Sequence, residues 1–195
     1  MLHTVVFDLG RTLVGFDFTR LDPLLTVDET VMPLLLLFET GKLSPAEFRQ
    51  RLCALPGADL ALPADEAAFN RWWCSVFDTR PQVDPEWLLS LRRHYRLGLL
   101  SNTNAIHFQY LQRQHPFLRE MDFHVLSYEI GAVKPEPAIF AAVESRAAGR
   151  ADGIFYLDDI PEYVAAARAR GWQAEVFAGE AAARAALVRT AATGR

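Results

Sequence analysis

The hydrophobic and polar positions along this chain fall into two alternating patterns. Five short segments are continuously apolar and rich in β-branched residues: "HTVVF" (3–7), "RLGLLS" (96–101), "FHVLS" (123–127), "GIFYL" (153–157) and "QAEVF" (173–177). Stretches with helical spacing separate them. Continuous apolar strands alternating with helices predict a parallel sheet buried on both faces. The right-handed crossover rule then gives an α/β, Rossmann-like doubly wound fold, in which ligands bind at the carboxyl ends of the strands.

Residues 8–95 lie between the first two strands, too many for one crossover, and they carry helix signals of their own. Thr26 with Glu29 makes a capping box before "VMPLLLLFE", and Gly41 stands where that helix stops. Ser44 with Glu47, and Pro45 at the first helical position, start "PAEFRQRLCAL", where Phe48 and Leu52 share a face. "DEAAFNRWWCSVF" supplies a third amphipathic stretch. After "DTRPQV", Asp84 and Pro85 open "DPEWLLSLRRHY", the core helix leading into the second strand. The pattern predicts a helical cap at 16–83 inserted into a core made of 1–15 and 84–195. The Ala-rich end, "EAAARAALVRTAATGR", reads as a last helix that frays.

Composition narrows the partners. The 195 residues are 51% hydrophobic, enough for one domain with a substantial core. Against 24 acidic residues stand 20 basic ones with no basic block, for a net charge of −4, which argues against a nucleic-acid partner. The most apolar segment, "VMPLLLLF", is far shorter than the ~20 residues of a membrane span. The start, "MLHTVVFDLG", lacks a basic region before an apolar stretch, so no secretory signal and a cytoplasmic location are expected. Cys53 and Cys74 have no His or Cys company suited to zinc and read as reduced, partly buried thiols. Oligomeric state is not legible.

The chemistry gathers at the strand ends. Asp8 follows the first apolar segment, Ser101 and Asn102 the second, and Asp158 with Asp159 the fourth. Lys134, in "GAVKPEPAIF", follows the third, before a helix whose first turn is marked by Pro135 and Pro137. Taken singly, Asp8 is a strand-end cap, Ser101 and Asn102 a turn, and Asp158 and Asp159 a helix N-cap pair. Taken together they converge. Clustered carboxylates repel one another without a cation, and all-oxygen ligation suits Mg²⁺ beside a phosphate. Lys134 and Ser101 then hold phosphoryl oxygens, while Asp8 attacks phosphorus and an aspartyl-phosphate forms.

Over essentially its whole length the chain resembles the haloacid dehalogenase (HAD) superfamily. "VVFDLGRTL" is similar to its nucleophile motif, "LLSNTN" to its Ser/Thr motif, "VKPEPAIF" to its lysine motif and "FYLDDIPEYVAAA" to its acidic metal motif. The set looks most like the branch containing glucose-1-phosphate phosphatases, whose cap is a helical insertion after the first strand. The resemblance implies a Rossmann-like core and Mg²⁺-dependent phosphoryl chemistry. Asp8 and Lys134 become catalytic, Ser101, Asn102 and Lys134 phosphate-binding, and Asp8, the Gly10 carbonyl, Asp158 and Asp159 metal-binding.

Two departures qualify it. The family's second motif Asp, its general acid and base, is here Gly10, and the Gly that follows is Arg11. Such assistance is worth ~10² to 10⁴ in rate, so substrates with acidic leaving groups, such as sugar 1-phosphates, or slow turnover are expected. Asp17 is a candidate substitute donor beside its plainer reading as a hinge residue. Relatives often carry Asn where this chain has Tyr163, which weakens the support expected behind the metal. Trp72 and Trp73 read first as cap packing, and the histidines as structural. Beside the phosphatase stand two other readings, a 2-haloacid dehalogenase and a non-catalytic phosphate-binding protein. Asp158 and Asp159 count against the dehalogenase, since an acidic pair opposes a carboxylate substrate.

Overall fold

A computed structural model describes residues 1–21, 30–55, 63 and 65–193. Its strands are β1 (Thr4–Phe7), β2 (Val14–Phe16), β3 (Phe77–Pro81), β4 (Arg96–Ser101), β5 (Phe123–Leu126), β6 (Ile154–Asp158) and β7 (Gln173–Val176). All five apolar segments form one parallel sheet, in the order β5-β4-β1-β6-β7. Alternate residues serve its two faces: Val5 and Phe7 join one apolar cluster, Val6 the other. The chain winds from β1 outward to β4 and β5, then returns to β6 and β7 on the far side. The switch point therefore lies beside β1, and Asp8 follows it directly.

The helices are α1 (Met32–Glu39), α2 (Pro45–Cys53), α3 (Glu66–Trp73), α4 (Pro85–Ser90), α5 (Ala105–Gln114), α6 (Ser127–Ile130), α7 (Pro137–Glu144), α8 (Pro161–Ala169) and α9 (Glu180–Thr193). The capping box at Ser44 and Glu47 is formed in both directions, at 2.9 and 3.2 Å. Asp84 caps α4 through the Glu86 N–H. The Thr26–Glu29 capping box lies outside the described residues. At the end of α1, Gly41 takes φ +68°, and a Cβ there would stand 2.2 Å from the Tyr128 carbonyl oxygen. Only glycine fits that turn and that approach, so the end of α1 is docked on α6, the short helix that follows β5.

The inserted helices pack on aromatic rings. Phe38 stacks on Phe48 at 4.2 Å, Phe48 meets Trp73 at 5.0 Å, and Trp73 stacks on His107 of α5 at 5.1 Å. A ring nitrogen of His107 bonds the Trp73 carbonyl at 2.9 Å, and burial lowers its pKa to about 4. His107 is thus a neutral tie between the insertion and α5. Trp72 and Trp73 serve packing, as their helical spacing implies.

Several local expectations need correction. The amphipathic stretch "DEAAFNRWWCSVF" is not helical to its end, because α3 stops at Trp73 and Phe77 opens β3, which pairs antiparallel with β2 at the neck of the insertion. Cys53 is exposed and only Cys74 is buried. Pro137 opens α7, whereas Pro135 precedes that helix, and the extra turn α6 stands between β5 and Lys134. Among the described residues no helix is long and apolar enough to cross a membrane.

Candidate active site

Asp8 is fixed by its own backbone, whose N–H donates to the Leu157 carbonyl at 2.8 Å and continues the β1–β6 ladder. Its side chain is 8% exposed and receives Lys134 Nζ at 2.5 Å. The same ammonium reaches Asp158 Oδ2 at 2.6 Å, so one buried cation bridges two carboxylates. Carboxylate oxygens of Asp8, Asp158 and Asp159 all lie within 4.8 Å of one another. Of the residues read at the strand ends, Asp8, Lys134, Asp158 and Asp159 are thus brought into one cluster.

Asp158 and Asp159 differ in what they can still bind. Asp158 is fully buried and accepts from Lys134, from the Tyr156 hydroxyl and from the Ile160 N–H at 2.8 Å. Asp159 is half-buried and faces the cavity. Asn102 clasps the Lys134 backbone in both directions: its carbonyl oxygen accepts from Lys134 N at 2.7 Å and its amide donates to Lys134 O at 3.2 Å. Tyr163 presents its ring 4.9 Å from Lys134 Nζ, a cation–π contact. Tyr163, at the place where relatives often carry Asn, thus lies against the lysine.

The electrostatics follow from burial. Asp8 is pushed up to about 7 mainly by desolvation, which Lys134 opposes and the charges of Asp158 and Asp159 reinforce. Burial also raises Asp159, again with Asp158 adding to it. Burial would depress the Lys134 ammonium, but Asp8 and Asp158 outweigh it and hold its pKa above the ordinary value.

Above this cluster lies a cavity of about 410 Å³. Its sheet side carries Asp8, Gly10, Arg11, Asn102, Lys134 and Asp159, and its insertion side Met32, Leu35 and Glu39 of α1. A larger groove of about 720 Å³ between Trp87 and α9 is lined, among the described residues, by no carboxylate. Ser101 is buried, donates to the Asn102 carbonyl at 3.3 Å and is not among the residues facing the cavity. Asp17 is also apart: its carboxylate caps Thr19, accepting from N–H and hydroxyl at 2.9 and 2.7 Å, and these bonds lower its pKa. Arg11 has φ 57°, the one positive value outside glycine among the described residues, and its Nε donates to the Phe16 carbonyl at 3.2 Å. The family's glycine at that place fits this conformation without strain.

Sequence reasoning missed Tyr156 and Glu39. Tyr156 had a signal, since it precedes Asp158 by two along β6 and so shares its face. Glu39 ends an apolar helix, and only the docking of α1 brings it over the strand ends.

No family model matches the chain. It is 31% identical over 157 residues to a D-ribitol-5-phosphate phosphatase of Bacteroides thetaiotaomicron, covering 72% of this chain and 74% of that protein. Among solved structures, the HAD family enzyme BT-2542 of the same organism, in complex with magnesium and inorganic phosphate, matches with TM-score 0.77 and 27% identity. That match covers 92% of this chain and 96% of the other. A HAD-like family hydrolase of Porphyromonas gingivalis matches with TM-score 0.75 and 26% identity over 90% of this chain and 91% of its own. With the four motifs gathered in one site, this chain belongs to the haloacid dehalogenase family.

Proposed function

We propose that the protein is a Mg²⁺-dependent phosphatase that hydrolyses a small phosphorylated metabolite, a sugar or polyol phosphate, through an aspartyl-phosphate on Asp8. The observation that carries this reading is the buried Lys134 ammonium shared by Asp8 and Asp158, beside Asp159, on the sheet side of a metabolite-sized cavity. The phosphatase and the magnesium- and phosphate-bound enzyme among its relatives support it.

The donor set fits magnesium. Three carboxylates within 4.8 Å carry more negative charge than one lysine balances, and every donor is oxygen. Asp8, Asp159 and the Gly10 carbonyl would hold the ion, with Asp158 occupied behind them by Lys134, Tyr156 and Ile160. When bound, Mg²⁺ supplies positive charge to the phosphoryl oxygens and relieves the repulsion among the acids.

The chain's own residues perform the displacement. An Asp8 oxygen forms a bond to phosphorus as the ester P–O bond breaks, and Lys134 offsets the charge on the transferring group. Asn102 keeps Lys134 in place through its backbone. Water then attacks the aspartyl-phosphate, releasing phosphate and freeing Asp8. The inserted helices act as the cap, closing the cavity from the side opposite the sheet. A 2-haloacid substrate is disfavoured because its carboxylate would meet Asp8, Asp159 and Glu39.

A panel of sugar, polyol and aryl phosphates, assayed for phosphate release with Mg²⁺ and after chelation, tests the reading. Hydrolysis that stops on chelation is expected. Full activity in chelator, or no release from any ester, would overturn it.

A further inference from the structure

Any alkyl phosphate leaves as an alcohol only if its ester oxygen gains a proton. Residue 10 has no side chain to give one, although a Cβ there would meet nothing closer than Phe16 Cβ at 3.7 Å. Asp17 is spent on Thr19 and pairs with Arg20 in solvent. Among the described residues facing the cavity, the carboxyls are Asp8, Asp159 and Glu39. The first two belong to the charged cluster, and Glu39 alone comes from the insertion.

Glu39 is poorly explained by structure. It makes no hydrogen bond or ion pair among the described residues, and it is the last residue of α1, where its charge opposes the helix dipole. Stability would favour almost any neutral residue there. Its position is nevertheless held, because Gly41 docks the end of α1 against Tyr128. We infer that Glu39 is the proton-transfer residue of this site, replacing from the cap the acid that Gly10 lacks.

The assignment rests on the phosphatase reading. In the first half-reaction the Glu39 carboxyl gives its proton to the ester oxygen while the P–O bond breaks and the Asp8–phosphorus bond forms, so the product departs as a neutral alcohol. In the second, the Glu39 carboxylate takes a proton from the water that attacks phosphorus. The bond to Asp8 then breaks, and donor and nucleophile are both restored. Burial pushes the Glu39 carboxyl up to about 7, with Lys134 opposing, which leaves both forms accessible near neutrality. Glu39 enters the cavity from the end of α1, whereas Asp8 enters it from the end of β1, so proton donor and nucleophile come from separate elements.

The test compares wild type and Glu39→Gln, both with Mg²⁺, on p-nitrophenyl, phenyl and benzyl phosphates. These esters lack hydroxyl groups and differ mainly in how much their leaving oxygen needs a proton. The benzyl to p-nitrophenyl ratio of kcat/KM should fall by roughly 10² to 10⁴ in the variant. Its melting temperature should equal or exceed that of wild type, which separates lost chemistry from lost structure. An unchanged ratio overturns the assignment, whether both substrates suffer equally or neither does. So does a wild type that cleaves p-nitrophenyl but not benzyl phosphate. If wild type cleaves none of the three and no ester of the metabolite panel, the phosphatase reading itself fails.

Discussion

Lys134→Met removes the ammonium while keeping most of the side chain's length and apolar stem. In the native protein that ammonium sits 2.5 Å from Asp8 and 2.6 Å from Asp158, with the two carboxylates 8% and 0% exposed. Removing one partner of a buried pair costs about 3–5 kcal/mol, because the remaining charge is left uncompensated in a medium that solvates it poorly. For a chain of this size each kcal/mol moves the midpoint by about 2–4 °C, so metal-free variant should melt about 6–20 °C below wild type at pH 8.

The pH dependence gives the stronger check. Burial pushes the Asp8 carboxyl up to about 7, from an ordinary value of 3.8. Its neutral form is therefore favoured by folding, and the associated stability is full below about pH 4 and lost as pH rises through 7. Without Lys134 the carboxyl moves higher still, so the variant goes on losing stability above pH 7, where wild type has levelled. The gap between the two proteins should be small at pH 5 and widest at pH 8 to 9. Thermal melts in chelator across that range measure it. A difference under 2 °C at pH 8, or one that does not change with pH, would refute the view that Lys134 holds the acids by charge.

Three further outcomes are expected. Asp8→Asn should remove turnover, read as phosphate release, yet melt at or above the wild-type temperature at pH 8, since an amide carries no buried charge. Asn102→Ala removes the 2.7 and 3.2 Å bonds on the Lys134 backbone and should cost about 1–3 kcal/mol in denaturant unfolding, with kcat falling more than KM rises. Gly41→Ala puts a methyl 2.2 Å from a backbone oxygen at φ +68°, so a loss of about 1–3 kcal/mol is expected together with reduced kcat, as the end of α1 shifts.

What could be read from the sequence followed the range of the interactions involved. The five sheet strands were legible because each is a continuous apolar run, and their strand-end polar residues were legible with them. The β2–β3 ribbon was not, since Val14–Phe16 and Phe77–Pro81 are short, partly polar, and paired across the whole insertion. Asp8, Lys134 and Asp159 announce themselves by position. Tyr156 does not, because an aromatic residue inside an apolar strand reads as core until the hydroxyl is seen to meet Asp158. Tyr163 was visible only as a deviation from Asn, because a ring over an ammonium leaves no trace in spacing. Glu39 needed the docking of α1, a tertiary contact made through a glycine.

The residues that resist a structural explanation are also those that face the cavity. Arg11 holds a left-handed backbone at an energetic cost that a glycine would avoid, Glu39 opposes its helix dipole, and Asp8 and Asp159 keep acidic groups where burial disfavours their charge. Each is a local defect that a neutral or smaller residue would mend. The strands beneath them are regular: β1, β4 and β6 are buried along nearly their whole length, and the aromatic cluster of the insertion is continuous with one sheet face. A core so regular can tolerate several kcal/mol of strain at its edge. If the strain is there for chemistry, stabilising substitutions at Arg11, Glu39 and Asp8 should each lower activity, whereas equally stabilising changes on the outer face of α9 should leave it alone.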